Sequence, residues 1–183
     1  MLRIILALLV VTGGFLAIQF AKKFPDHFKT VLYIITFLYG AGMLYFTLLS
    51  RTSADGNVIN LIPFYTFTRS LRHPVRPDRI LKSILTGRWR EAFTTLVPIR
   101  TAVLNILLFI PMGYLIPEWT GEEKIRARTV CLICLAVSGF IEIIQLATGL
   151  GWCDADDLIC NVLGGLAGYA AFCAVKRRRG KET

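Results

Sequence analysis

The chain has 183 residues, of which 55% are hydrophobic and only 18% charged, and its mean hydropathy is +0.59. A soluble domain usually holds about 45–50% apolar and about 25% charged residues. This composition therefore excludes an ordinary soluble domain and predicts one integral membrane domain. The formal net charge of +9 in so apolar a chain favours topology signals and anionic lipid as its cause over nucleic-acid binding. The five cysteines are scattered, so we expect them to pack as small apolar groups and not to form a disulfide framework.

Two hydrophobic runs come first along the chain. The first covers roughly residues 4–20 and follows Arg3, as in a signal peptide. It is long for such a segment and no cleavage site of the A-x-A kind comes after it, so we expect a helix that stays in the protein. The second run, about residues 30–49, is rich in aromatic side chains. Each run has about 17–20 residues, which is enough to cross about 30 Å of hydrocarbon.

A basic segment follows at residues 50–101, with nine Lys or Arg and three acidic residues. Its first part is an apolar stretch around Pro63, and its second part has apolar residues at helical spacing from Ile80 to Phe93. This pattern predicts one or two amphipathic helices that lie in the membrane interface, with a solvated loop as the alternative. Anionic lipid headgroups would account for cations in this position.

Three further spans are predicted at residues 102–117, 129–148 and 158–175, and Pro111 interrupts the first of them. Five spans place the two termini on opposite sides of the membrane. The basic run from Lys176 to Arg179 favours a cytoplasmic C-terminus, so the acidic turn at 150–157 and the basic segment are expected outside. The predicted fold class is an all-α integral membrane protein with about five transmembrane helices plus an interfacial amphipathic segment.

The predicted organisation has three parts: an N-terminal helix and short loop at 1–29, a membrane domain at 30–175, and a basic cytoplasmic tail at 176–183. Within the last span, Gly164 and Gly168 form a GxxxG pattern. Small residues at this spacing let a helix approach a neighbour closely.

Polar residues interrupt the last two spans where the chain turns between them. Ser138, Glu142 and Gln145 are spaced so that they share one helix face, and Asp157 and Asn161 share a face of the next helix. A carboxylate in hydrocarbon costs several kcal/mol or more, so it is rarely there without a role. Glu142 and Asp157 are therefore the candidate catalytic residues, with Glu142 suited to acid or base chemistry. The alternative for Glu142 is a buried acid that holds the helices together.

The remaining polar residues each have a structural alternative. Asp154 and Asp156 suit helix capping as well as catalysis, and Asn60 suits a turn before Pro63. Asn105 suits either the backbone that Pro111 frees or the site. Three acids and an amide could hold a divalent cation, but their spacing matches no known loop, so neither metal nor cofactor is expected. The candidate substrate-binding residues are Asn60, Asn105, Gln145, Asp154, Asn161, Arg88, Arg90 and Arg100.

Four short motifs, in this order and spacing, resemble the VanZ-like membrane proteins. They are Asn60-Leu-Ile-Pro-Phe64, the stretch from Asn105 to Gly113, Glu142-Ile-Ile-Gln145, and the stretch from Asp154 to Gly168. The resemblance runs from near the second span to about residue 175. It implies a role in the bacterial envelope and in tolerance of glycopeptides such as teicoplanin, without implying a particular reaction. Relatives often carry an Arg shortly before the Asp turn, in a pattern like R-x-x-D-x-x-D, where this chain has Gly151. A cation that relatives use there would have to come from elsewhere, such as residues 69–100.

The leading hypothesis is a VanZ-like protein of the bacterial inner membrane that binds or modifies an amphipathic envelope molecule. A polyprenyl-linked precursor or a lipoglycopeptide would be its partner, with basic residues at the headgroup. The alternative is a non-enzymatic scaffold or regulator that contacts membrane-protein partners, or a second copy of itself, through the GxxxG face. A small transporter is a third hypothesis, against which the few spans argue.

Overall fold

A computed structural model describes residues 2–49, 59–65, 77–88, 97–121, 125–150 and 153–179. These residues form an all-α protein. Its helices, in chain order, are α1 (Leu2–Ala21), α2 (Pro25–Leu44), α3 (Pro77–Leu85), α4 (Val97–Thr120), α5 (Ala127–Thr148) and α6 (Ala155–Arg179). A π-helical segment, Tyr45–Leu49, continues α2. Two-residue strands β1 (Ile59–Asn60) and β2 (Cys153–Asp154) form a small parallel ladder.

Four stretches of the described chain are long and apolar enough to cross a membrane: Pro25–Leu48, Thr101–Thr120, Ala127–Thr148 and Ala155–Arg179. A shorter apolar stretch, Val11–Ala21, lies within α1. In hydrocarbon, every backbone polar group must be paired inside the protein, and helices of this length meet that requirement. The predicted class, an all-α membrane protein, is confirmed.

The turn from α1 to α2 is short because Pro25 starts the second helix directly. Proline is well suited to the first helical position, where its missing N–H is not needed and its φ is already helical. Asp26 in the first turn of α2 is favoured by the positive end of the helix dipole. Helix α1 is integrated into the bundle: Ile18 and Ala21 are buried, and the ring of Phe15 meets Tyr114 of α4 edge to face at 5.2 Å.

Helix α3 is shorter than the predicted amphipathic run. It begins at Pro77, ends at Leu85 and is followed by Gly87 with a φ of 71°, whereas the apolar spacing extends to Phe93. Residues 89–93 of that run lie outside the described residues. Leu81 and Leu85 are exposed, as expected of a helix that presents apolar side chains to the membrane interface.

Helix α4 runs as one helix from Val97 to Thr120 and contains both Pro111 and Pro117. The sequence predicted a shorter span at 102–117, but neighbouring helices support α4 where proline weakens it. The hydroxyl of Tyr39 on α2 donates to the carbonyl of Leu108 at 2.7 Å, three residues before Pro111.

The centre of the bundle is the contact of α4 with α6, which run side by side in the same direction. A methyl group on Gly164 would overlap the carbonyl of Ile106, and one on Gly168 would overlap the carbonyl of Ile110. The two backbones approach this closely only because both positions are glycine. The GxxxG face is therefore covered by α4 of the same chain, and this is not the free surface that the scaffold hypothesis assumed.

Candidate functional site

Helix α5 turns a polar face inward and an apolar face outward. Ser138, Glu142 and Gln145 are exposed by 0%, 3% and 0%, whereas Phe140 and Ile143 on the opposite side are exposed by 64% and 65%. A helix in a bilayer contacts lipid with its apolar side, so we expect its polar side chains to face the interior of the bundle, as they do here. The three polar side chains predicted to share a face do share it, and that face lies inside the bundle.

Asp154 connects the chain that follows α5 to the buried polar face of α5. Gly149 ends α5 in the left-handed conformation, with a φ of 66°, and its N–H donates to the carbonyl of Gln145, as glycine commonly does after a helix. The N–H of Asp154 then donates to Oε2 of Glu142 at 3.2 Å. Oδ1 of Asp154 accepts from the N–H of Asp156 at 3.0 Å, so Asp154 caps the start of α6.

The Asn60 motif docks on this turn from a distant part of the chain. Strand β1 pairs with β2 in parallel, with Ile59 opposite Cys153 and Asn60 opposite Asp154. The side-chain amide of Asn60 donates to Oδ1 of Asp154 at 3.1 Å, across 94 residues of sequence. Oδ1 of Asn60 also accepts from the N–H of Ile62 at 3.3 Å. Asn60 thus forms a local turn and joins the site, which were the two alternatives considered for it.

The turn after Asn60 places a strained residue against the acidic helix start. Tyr65 N–H donates to the carbonyl of Ile62 at 3.2 Å, with Pro63 and Phe64 at the two central positions. Phe64 has a φ of 61°, which a type II turn requires at its third position and glycine usually supplies. The N–H of Phe64 donates to the carboxylate of Asp156, a charge-assisted bond that helps to offset the cost of this conformation.

Two amides tie α5 to its neighbours. The Asn161 side chain on α6 donates to Oγ of Ser138 at 2.8 Å. The Gln145 side chain donates to the carbonyl of Thr47 at 2.8 Å. Thr47 is buried in the π-helical segment, near its C-terminal end, where the last carbonyls of a helix have no partner within the helix. Sequence reasoning missed Thr47, and its only sequence signal is a hydroxyl within an aromatic span.

Three buried amide atoms in this region have no hydrogen-bond partner: Nδ2 of Asn105, Oε1 of Gln145 and Oδ1 of Asn161. All three side chains are at least 94% buried. Leaving a buried polar atom unpaired costs about 1–3 kcal/mol, so such atoms point to a polar group that completes them. As placed, they offer one donor and two acceptors.

Asn105 lies at the depth of the other amides. It precedes Ile106, whose carbonyl contacts Gly164, and Gly164 is less than one helical turn from Asn161. Because Nδ2 of Asn105 is unpaired, this nitrogen does not bond the backbone that Pro111 frees. The role of Asn105 in substrate binding stays a prediction.

The carboxyl groups of the site are mostly buried. Glu142, Asp156 and Asp157 are exposed by 3%, 7% and 9%. Together with six neighbouring polar residues, these three form what we name the polar cluster. The six are Asn60, Asn105, Ser138, Gln145, Asp154 and Asn161. Carboxyls with amide neighbours can bind hydroxyl or amide groups and can transfer protons. Within the described stretches, no group of three or more His, Cys, Asp or Glu side chains is arranged to hold a metal ion.

A comparison with protein families identifies the chain. The family model described as VanZ/LLP1 matches residues 28–176 of the 183. The chain belongs to the VanZ-like family. No curated protein and no solved structure matches it. The match covers every residue of the polar cluster and begins within α2, so α1 lies before the VanZ-like region.

The structure brings some predicted site residues of this VanZ-like protein together and not others. Arg88 is exposed three residues after the end of α3, where its Nε donates to Oγ1 of Thr86 at 3.2 Å. Arg90 lies outside the described residues, as does the side chain of Arg100. Gly151, which stands where relatives often carry Arg, also lies outside them. Headgroup binding by these arginines stays a prediction.

Proposed function

We propose that this VanZ-like protein binds the polar part of an amphipathic cell-envelope molecule in the polar cluster, at the outer face of the bacterial inner membrane. A polyprenyl-linked cell-wall precursor or a lipoglycopeptide has the chemistry required. Binding of such a molecule would alter tolerance of glycopeptides such as teicoplanin. The observation that carries the proposal is the set of three buried, unpaired amide atoms beside buried carboxyls, because a ligand with hydroxyl or amide groups would pair them.

The surroundings of the polar cluster suit an amphipathic ligand. The turn that donates to Asp156 exposes Leu61, Ile62 and Phe64, by 71%, 62% and 54%. Apolar side chains therefore stand directly beside bonded carboxylates. A ligand with a lipid tail and a polar head would place the tail along this turn and along lipid-facing α5, and the head against Glu142 and the amides.

Charge at the two ends of α6 supports the proposed orientation. Asp156 and Asp157 lie in its first turn, and four cations, Lys176 to Arg179, lie in its last turn. Cations flanking a span favour the cytoplasm, so the acidic end and the polar cluster would face outward. Cell-wall precursors and glycopeptides are both met on that side.

Glu142 has the central role in this proposal. Its carboxyl is buried and bonds the backbone of Asp154, so it is held in place beside the turn. It would accept a hydrogen bond from the ligand, and it is the group best placed to act as acid or base if the ligand is modified. Gln145 and Asn161 would pair the same head through their open oxygens.

The test is native mass spectrometry of the purified full chain, with wild type beside Glu142→Gln. Asp26→Asn is the matched control, since it makes the same change at an exposed position. We expect wild type and the control to retain a polyprenyl-phosphate or another envelope lipid and Glu142→Gln to lose it, with the three proteins equally folded. Equal retention by all three, or retention of no lipid by any of them, would contradict the proposal.

A further inference from the structure

A second polar region lies at the opposite end of the bundle from the polar cluster. From Asp157 to Arg179, α6 rises about 33 Å at about 1.5 Å per residue, close to the thickness of the hydrocarbon core. At this far end, a cleft of roughly 320 Å³ opens between the end of α1, the start of α2, and the ends of α4 and α6. We name it the basic cleft.

Among the described residues, positive charge prevails in the lining of the basic cleft. Lys22, Lys176 and Arg179 line it together with one carboxylate, Glu118. Glu118 is paired with Lys22, and the guanidinium of Arg179 bonds the neutral Gln19, so Glu118 does not balance the charge of Arg179 and the described lining keeps an excess of positive charge. Bringing cations together inside a cleft is unfavourable unless an anion accompanies them, so the excess favours an anionic occupant.

Other residues hold these cations in position. The guanidinium of Arg179 donates to Oε1 of Gln19 at 2.6 Å. The ammonium of Lys22 lies 5.8 Å from the ring centre of Phe28 and 5.9 Å from that of Phe172, within range for a cation–π interaction. A ligand would therefore meet cations that are already oriented, which reduces the entropy lost on binding.

The walls of the basic cleft are apolar where they continue into the bundle. Phe28, Phe172 and Val175 line it together with the cations. Because the cleft lies at the ends of membrane-spanning helices, its cations stand at headgroup level and its aromatic side chains stand beside lipid tails. That order, cation outside and apolar inside, matches a phospholipid and not a free anion.

We propose that the basic cleft binds the phosphate headgroup of an anionic membrane lipid in the leaflet opposite the polar cluster. Lys22 and Gln19 belong to the stretch before the VanZ/LLP1 match, and Arg179 lies after it. The site thus combines residues on both flanks of the VanZ-like region with residues inside it, such as Glu118 and Phe172. Through Arg179–Gln19 and Lys22–Glu118, a bound lipid would also secure α1 to α4 and α6.

The experiment compares lipids by the thermal unfolding of the full chain in a neutral detergent. Phosphatidylglycerol and phosphatidylcholine with the same acyl chains are added to wild type, to Arg179→Ala and to Arg177→Ala. Arg177 is exposed on the same helix and is the matched control for charge. We expect phosphatidylglycerol, but not phosphatidylcholine, to raise the melting temperature, with an apparent affinity about fivefold weaker for Arg179→Ala than for Arg177→Ala.

Two further arms make the result decisive. Gln19→Ala removes the partner of Arg179 but keeps every cation, so it should keep most of the phosphatidylglycerol response. A loss as large as that of Arg179→Ala would mean that the contact is structural, and it would overturn the lipid site. Inorganic phosphate should give no shift, and an equal shift with it would assign the cleft to a soluble anion. An equal response of Arg177→Ala and Arg179→Ala would also overturn the proposal, because it would indicate unspecific surface charge.

Discussion

Two faces of α6 pack against their neighbours by opposite means. Toward α4, Gly164 and Gly168 bring the backbone of α6 against the carbonyls of Ile106 and Ile110. Toward α5, Asn161 bonds Ser138, in the layer that also holds the buried Glu142. The first face gains dispersion energy from close approach, which drives helix association in lipid. The second face keeps amide atoms unpaired, and a face built only for stability would not.

The two faces of α6 therefore have different roles, one in stability and one in binding. A glycine contact has no tolerance for added atoms, because its partner is backbone and cannot move aside. A polar contact with open donors and acceptors tolerates changes that keep shape, but it responds to changes in chemistry. We therefore expect substitutions on the α4 face to affect folding and substitutions on the α5 face to affect binding.

The largest effect is expected from Gly164→Ala. The added methyl group would overlap the Ile106 carbonyl, so α4 and α6 must separate, which we expect to cost about 3 kcal/mol of unfolding free energy. Gly139→Ala on α5 is the control, since a methyl group there meets nothing within 4 Å. Size-exclusion profiles and melting temperatures of the two variants measure the difference. If both variants unfold at the same temperature, α4 and α6 are not in backbone contact.

An intermediate effect is expected where the Asn60 turn docks on the Asp turn. Asp154→Ala removes a helix cap and the partner of Asn60, and should cost about 1–2 kcal/mol. A double-mutant cycle with Asn60→Ala should give a coupling energy of about 1 kcal/mol, as for residues that share a bond. Denaturation of the four proteins in one detergent measures it. Strictly additive effects would show that the turn is not docked.

The smallest effect on stability is expected from Gln145→Leu. This variant loses the bond to the Thr47 carbonyl, and bonds between membrane helices average only about 0.6 kcal/mol. It also removes the unpaired Oε1, which offsets part of that loss. The melting temperature should hardly change, whereas the lipid retained in native mass spectra should fall. A strongly destabilised variant that keeps its lipid would assign Gln145 to helix packing alone.

Much of the fold could be predicted from the sequence, because lipid imposes simple rules. The last two predicted spans agree with α5 and α6 to within a few residues, apart from the C-terminal extension of α6 to Arg179. Because Pro111 interrupts the third hydrophobic run, the span predicted there was short, but α4 continues to Thr120. Proline marks a weak point in a helix, and only the neighbours decide whether the helix ends there.

The arrangement of the polar cluster could also be predicted only in part from the sequence. Helical spacing was enough to place Ser138, Glu142 and Gln145 on one face, since 3.6 residues per turn is a local property. The bond from Gln145 to Thr47 was not predictable, because it depends on a π-helical segment 98 residues away. Likewise, no local pattern shows that the N–H of Phe64 meets Asp156.

By itself, then, the sequence determined the membrane location, the approximate spans and which residues of α5 turn inward, because hydropathy and helical period act over short stretches of chain. Only the tertiary structure decided what those residues meet. It covered the GxxxG face with α4, brought Asn60 to Asp154 and set the cations of α1 and α6 around one cleft. Each of these contacts joins residues far apart in the chain. Burial indicates that a polar side chain needs a partner, but only the packing of all the helices together decides which groups it meets.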